Sequence, residues 1–385
     1  MSFADNRNKI GKYIPAVVFL IFIYGMALWF IFSPKPDYSS SEKRYLQKFP
    51  EVTAEKLLSG DFGSEFETFF ADRFPQRNTW VGLNAYTALA EGNNGASGVY
   101  NCKNGYLINK PVSTENNLDK NIGAVADFAK SIDTPTTVML VPSTGYIVDD
   151  VLPTFHDKYN DDEDISKISS TLSKDKIGFV DLRERFKSEY KNGSQLYYKT
   201  DHHWTTKGAY TGYQELCKAL GITPIDDSTL KKDSYPDFYG TTYSSSGFWL
   251  TPPDNIEIWN NPQNSDRNIS VKITEGANIK TSGSMYFTDH LKEDDKYPVF
   301  IDGNHALTEI TNTNAKNGTI LLIKDSFSHS LAPFLAENYS KVVLVDLRYY
   351  KESVSDLVTT YNPEQVVVLY GIDNLATDTD IVWLK

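Results

Sequence analysis

The chain has 385 residues, a formal net charge of −12 and an aromatic content of 13%. This length allows one large domain or two smaller ones. The acidic balance argues against nucleic acid or an anionic polymer as partner and makes a neutral or basic glycan the easier one. The 24 tyrosines suit stacking on sugar faces, although most tyrosines simply pack half-buried with the hydroxyl wet.

Reading from the N-terminus, residues 1–12 form a short polar segment that carries Arg7, Lys9 and Lys12. Tyr13 to Phe32 follows, 20 residues without a charge. That length spans about 30 Å as a helix. No small-x-small cleavage signature follows it, so the expectation is an uncleaved single-pass anchor rather than a signal peptide. The short N-terminus is placed inside, because no second span returns the large polar remainder across the membrane. Residues 33–65 read as a polar linker and helical approach, and residues 66–385 as the extracytoplasmic domain.

Within that domain, Tyr100 to Ile108 reads as a hairpin with an Asn104-Gly105 turn. Leu118 to Ser131 reads as an amphipathic helix, Thr136 to Val141 as a buried strand and Ile177 to Leu182 as another. Leu196-Tyr197-Tyr198 is a short strand before the loop Asp201-His202-His203-Trp204. A helix then runs to about Leu220 and closes at Gly221. Residues 225–315 alternate polar and apolar in short runs such as Ile256-Glu257-Ile258-Trp259, and read as a β-rich insertion beside a cleft. Thr319 to Ile323 is a strand buried on both faces, and Lys341 to Val345 and Gln365 to Tyr370 are two more, separated by a helix around residues 350–360. Strands alternating with helices indicate an α/β fold with a doubly wound parallel sheet and ligands at the strand C-termini. The two cysteines, Cys102 and Cys217, leave open whether one disulfide forms.

Two segments carry the chemistry. In Thr200 to Thr205, Asp201 stands two residues before His203, so its carboxylate can accept the Nδ1–H of the ring and leave Nε2 free to take a proton. Adjacent histidines diverge in extended backbone, so His202 is assigned a structural part. In the second segment, Asp325-Ser326-Phe327 follows the buried strand and opens a helix. A serine at such a turn gains exposure and the free N–H groups of a helix start, which can stabilise an oxyanion. The same Asp325-Ser326 pair also suits ordinary helix capping. A metal site built from Asp201, His202, His203 and Asp325 is the competing reading. No HExxH or i,i+4 histidine pair accompanies it, and none is expected to be occupied. His329, three residues past Ser326, is the alternative base, and His156, His290 and His305 read as surface or structural.

The Thr200-Asp201-His202-His203-Trp204-Thr205 segment, with Asp325-Ser326-Phe327 late in the chain, resembles the DHHW family of Gram-positive bacteria. It is similar to the alginate O-acetyltransferases of the SGNH-hydrolase-like superfamily. Phe66 to Arg77 resembles the family's early Asp-x-Phe-Pro-x-Arg element, and Phe238 to Gly247 and Val343 to Tyr350 also match its pattern. The resemblance implies Ser326 as nucleophile, His203 as base and Asp201 as the acid that orients it. Lys324 stands where SGNH hydrolases have the glycine of Gly-Asp-Ser, so the turn must form without it. Asn304, in Asp302-Gly303-Asn304-His305, and the Ser326 N–H are the candidate oxyanion donors. The expected activity is transfer of an acetyl group onto a surface or secreted polysaccharide. A carbohydrate esterase and a non-catalytic glycan-binding or assembly protein are the alternatives. No cofactor is expected. Acyl-CoA is absent outside the cell, and the resemblance implies a membrane-bound O-acyltransferase as the acyl-donating partner.

Overall fold

The computed structural model describes residues 3–113, 117–381 and 384. The chain forms two compact units, Met1–Tyr86 and Thr87–Lys385. The boundary expected at residues 65 and 66 instead falls inside a helix.

In the first unit α1 (Phe3–Phe32) is continuous, and its stretch Tyr13–Phe32 is long and apolar enough to cross a membrane, with mean hydropathy 2.4. Two helices follow after a short strand pair, α2 (Ala54–Ser59) and α3 (Asp61–Asp72). Thr53 caps α2 and Gly60 joins the two in the left-handed conformation, φ 86°, where a glycine carries no Cβ penalty. The end of α3 fastens the strand pair. Asp72 accepts two bonds from the Arg44 guanidinium, at 2.9 and 2.5 Å, and one from Gln47 N. Buried Arg73 donates to the carbonyls of Lys35, Pro36 and Gln47. The Asp-Arg of the early sequence element is thus a structural clasp. α4 (Arg77–Ala90) leads into the second unit.

The second unit is built on an eight-stranded mixed sheet. Its strands in chain order are β1 (Thr136–Val141), β2 (Gly178–Asp181), β3 (Ile269–Glu275), β4 (Asn278–Ser282), β5 (Leu307–Asn312), β6 (Asn317–Lys324), β7 (Tyr339–Val345) and β8 (Gln365–Gly371). The spatial order is β4-β3-β5-β7-β6-β8-β1-β2. The five strands from β7 to β2 are parallel, and β5, β3 and β4 continue the sheet antiparallel. Three of the five strands in the region read as a β-rich insertion therefore extend the central sheet. The alternating runs stand because antiparallel edge strands cover one face and wet the other. Within that region, Lys231–Phe238 and Asp254–Asn260 pair with each other apart from the sheet.

The parallel strands are apolar at successive positions because both faces are covered. Ile320, Leu322, Val342, Leu344, Val367 and Leu369 enter one core, which receives α7 (Thr206–Leu220) and α8 (Ser328–Leu335). Leu321, Ile323, Val343, Val345, Val366 and Val368 enter the other, against α5 (Asn117–Ser131), α6 (Asp161–Lys174), α9 (Val354–Tyr361) and α10 (Ile372–Thr377). The Asn104-Gly105 turn, both residues at positive φ, joins Val99–Asn101 to Leu107–Asn109. Cys102 and Cys217 are separate buried thiols, pushed up to about 12 by burial.

Candidate active site

The first segment of the site is a tight hairpin from Leu196 to Thr205. Tyr197 pairs with Trp204, and Thr205 N donates to the Leu196 carbonyl at 2.8 Å. Buried Asp254 holds its entry, accepting bonds from Gln195 Nε2, Lys199 N, Thr200 N and Thr200 Oγ1. Thr205 caps α7 by accepting from Gly208 N. The indole of Trp204, fully buried, donates to the carbonyl of Phe327 and the hydroxyl of Ser330, each at 2.9 Å. That pair of bonds ties the hairpin to the start of α8.

The hairpin presents Asp201 and His203 to Ser326, which follows β6. Asp201 Oδ1 lies 2.5 Å from His203 Nδ1, and His203 Nε2 lies 2.7 Å from Ser326 Oγ. The network assigns the proton on Nδ1, so that Nε2 accepts from the serine hydroxyl. Asp201 also accepts from His203 N at 2.8 Å and, through Oδ2, from Thr241 N at 2.7 Å and Thr241 Oγ1 at 3.2 Å. Burial alone pushes this carboxyl up. The charges of His203 and His202 and the hydrogen bonds outweigh it and hold Asp201 well below the usual carboxylate range. Gly240 is required beside it: a Cβ there would sit 2.1 Å from the Asp201 Cβ.

The turn that carries Ser326 forms with no residue from 324 to 327 at positive φ, which is how it dispenses with glycine. Asp325 braces it, accepting from Phe327 N through Oδ1 and from Gly371 N and Asn374 Nδ2 through Oδ2. Among the described residues the Ser326 N–H has no hydrogen-bond partner. Lys324, fully buried, pairs with Asp346 at 2.9 Å and donates to His329 Nε2 at 2.8 Å. His329 therefore faces Lys324, not the serine. Burial and the Lys324 charge hold it well below the ordinary histidine range.

Tyr297 completes the geometry. Its ring lies parallel to His203, centroids 4.0 Å apart at 11°, and its hydroxyl donates to the Ser326 carbonyl at 3.1 Å. No local pattern distinguishes this residue among 24 tyrosines. Thr241 lies inside the Phe238–Gly247 element already singled out, though with no role assigned to it, and no local pattern marks Asp254. A cavity of about 50 Å³ opens alongside, lined in part by Val141, Ser143, His202, Phe327, Asp373 and Asn374.

The remaining sequence candidates fall as follows. His202 bonds Thr241 Oγ1 at 2.7 Å and does not reach Ser326. Its ring nevertheless lies 3.9 Å from that of His203, because residues 201–203 bend rather than extend. Burial, with the His203 charge, lowers it to about 4. Asp201, His202 and His203 could present donor atoms to one cation. Asp325 is turned into the turn that carries Ser326, and His203 spends both ring nitrogens on Asp201 and Ser326, so the set fits a proton relay better than a metal. Asn304 is exposed, and its Oδ1 accepts from Arg348 at 2.8 Å.

Residues 112–345 match the family described as DHHW protein. The chain belongs to the DHHW family. Among solved structures, a DHHW family protein from Eubacterium siraeum is 17% identical, with a TM-score of 0.63 over 75% of this chain and 95% of that one. Bacillus cereus PatB1 with a sulfonyl adduct is 20% identical, with a TM-score of 0.62 over 74% and 97%. The O-acetyltransferase domain of Pseudomonas putida AlgJ is 14% identical, with a TM-score of 0.48 over 75% and 95%. None of the curated proteins matches this DHHW chain in sequence. At these identities the likeness is one of fold.

Proposed function

We propose that this DHHW protein is an extracytoplasmic O-acetyltransferase that moves an acetyl group through Ser326 onto a surface or secreted polysaccharide. The observation that carries the reading is the unbroken relay Asp201–His203–Ser326, with separations of 2.5 and 2.7 Å. In this reading Ser326 Oγ attacks the acyl carbonyl as its proton passes to His203 Nε2, and the leaving group departs with that proton. Asp201, ionised, stabilises the imidazolium. The Ser326 N–H is the first oxyanion donor. Asn304 is the second candidate, through its Nδ2, because Oδ1 serves Arg348. A glycan hydroxyl then gives its proton to His203 and attacks the acyl-enzyme, restoring the serine.

The acyl donor is assigned to a membrane-bound O-acyltransferase, since no acyl-CoA is present outside the cell. The α1 segment Tyr13–Phe32 is read as the anchor that keeps the two proteins together in a Gram-positive membrane. The two-faced helix cover is read as the doubly wound sheet of SGNH-like enzymes, with Ser326 beyond a strand C-terminus as open α/β folds place their ligands. The sulfonyl adduct on B. cereus PatB1 agrees with a nucleophilic site on this fold.

The test is covalent. A fluorophosphonate probe should label the full-length protein, and Ser326→Ala should abolish both labelling and release of acetate from an aryl acetate. His203→Ala should lower both by about a thousandfold or more, and His202→Ala far less. Labelling that persists in Ser326→Ala would end the nucleophile assignment.

A further inference from the structure

The first unit has an aromatic helix face that the protein itself leaves partly uncovered. In α3, Phe62, Phe66, Phe69 and Phe70 recur at one-face helical spacing, while Ser64 and Thr68 lie opposite. Phe66 remains 39% and Phe70 41% exposed. Phe49 packs edge-on to Phe66 and Phe69, at centroid separations of 6.1 and 5.4 Å.

What covers this face follows from where it is fixed. Phe30, in the last turn of α1, lies 4.7 Å from Phe70 and 6.3 Å from Phe69 between ring centroids. Lys35 Nζ stands 3.8 Å above the Phe30 ring. The apolar stretch of α1 is 20 residues, about 30 Å long and so matched to one hydrocarbon core. If it spans, Phe30 ends at the level where hydrocarbon gives way to headgroups, the depth favoured by aromatic rings and by cations whose stems reach inward. The face of α3 held against Phe30 lies at that level as well.

We propose that α3 lies on the outer membrane interface with Phe66 and Phe70 in the headgroup–acyl boundary. This rests on the reading of α1 as the anchor. Apolar burial drives the contact. The polar residues of α3 include Asp61, Glu65 and Glu67, so anionic lipid adds no attraction and zwitterionic lipid suffices.

The experiment uses the full chain in phosphatidylcholine vesicles, with one environment-sensitive label on an introduced cysteine. Cys102 and Cys217 are buried and spared by mild labelling. Labels at Phe66→Cys and Phe70→Cys should be quenched by a spin label near the lipid headgroup and be several-fold less accessible to aqueous iodide than a label at Thr68→Cys. Ile23→Cys serves as the anchor control and should be quenched by a deep acyl-chain spin label. Loss of that control signal overturns the anchor and the proposal together. A quenched Ile23 label with iodide-accessible labels at 66 and 70 overturns the proposal alone. Shielding of positions 66 and 70 in native membranes but not in lipid vesicles assigns the face to a membrane protein partner and overturns the bilayer contact.

Discussion

Asp201, His203 and Ser326 were legible because their chemistry is local: a carboxylate two residues before an imidazole, and a serine after a buried strand. Their supports were not. Thr241 binds the second oxygen of Asp201 from 40 residues away, and Tyr297 reaches the serine carbonyl from 29, so neither leaves a mark near the motif it serves. Tyr297 makes two separable contributions. Burial pushes its phenol well above the ordinary tyrosine range, so it stays a donor at any working pH. In the proposed reaction its ring also stabilises the imidazolium formed on His203, an effect of about 0.5–2 kcal/mol. Tyr297→Phe keeps the ring and removes one of two bonds to the Ser326 carbonyl, which still accepts from His329 N at 3.2 Å. Tyr297→Leu removes both contributions. Expected is a modest fall in kcat for the first and a larger one for the second, with KM little changed in either. Steady-state kinetics on an aryl acetate check this, and an undiminished kcat in Tyr297→Leu would remove the ring from the mechanism.

At the level of elements, the parallel strands were readable because burial on both faces leaves continuous apolar runs. β3, β4 and β5 were not, since alternation announces a strand without saying which sheet it joins; the pairing of Leu307 with Val345 is a tertiary choice. The Lys324 departure likewise made sense only in three dimensions. Its charge is balanced by Asp346, which also pairs with Arg348, inside a network beside the turn. Elements also explain the Trp204 of the motif. It joins the hairpin to α8 through two indole bonds, and it packs edge-on to Phe327 at 5.6 Å. Trp204→Phe removes the indole bonds to the Phe327 carbonyl and the Ser330 hydroxyl in a dry setting, where a group left unsatisfied costs about 1–3 kcal/mol. The variant should unfold at lower denaturant with an unchanged slope and lose activity beyond its stability loss, because the relay distance depends on that tie. Full activity in a destabilised Trp204→Phe would separate the hairpin's position from this bond.

Across the whole molecule, the groups around the site pull stability in opposite directions with pH. Asp161 and Asp373 meet at Ser143, whose N–H donates to Asp161 at 2.7 Å and whose hydroxyl donates to Asp373 at 3.1 Å. Burial, and for Asp373 the neighbouring Asp161 charge, raises Asp161 to about 6 and Asp373 to about 7. Asp164 adds repulsion to both, and the phenols of Tyr159 and Tyr197 stand near. A carboxyl raised in the folded state favours folding while it is protonated, and that advantage is lost as pH rises through its folded value. His202 and His329, lowered by burial, act the other way: they weaken the fold as pH falls below the ordinary histidine range. The parent's stability is therefore a sum of opposed slopes, and only a difference isolates the pair. Asn mimics a protonated Asp, so Asp373→Asn should match the parent below about pH 4, where Asp373 is protonated folded and unfolded, gain on it progressively as pH rises toward about 7, and hold a constant advantage above that, where Asp373 is ionised in both states. Each tenfold change in that proton equilibrium is worth about 1.4 kcal/mol. Denaturant midpoints of the two proteins measured across this range check it. A difference that stays constant with pH would mean that burial and the Asp161 charge do not raise Asp373 in the folded protein.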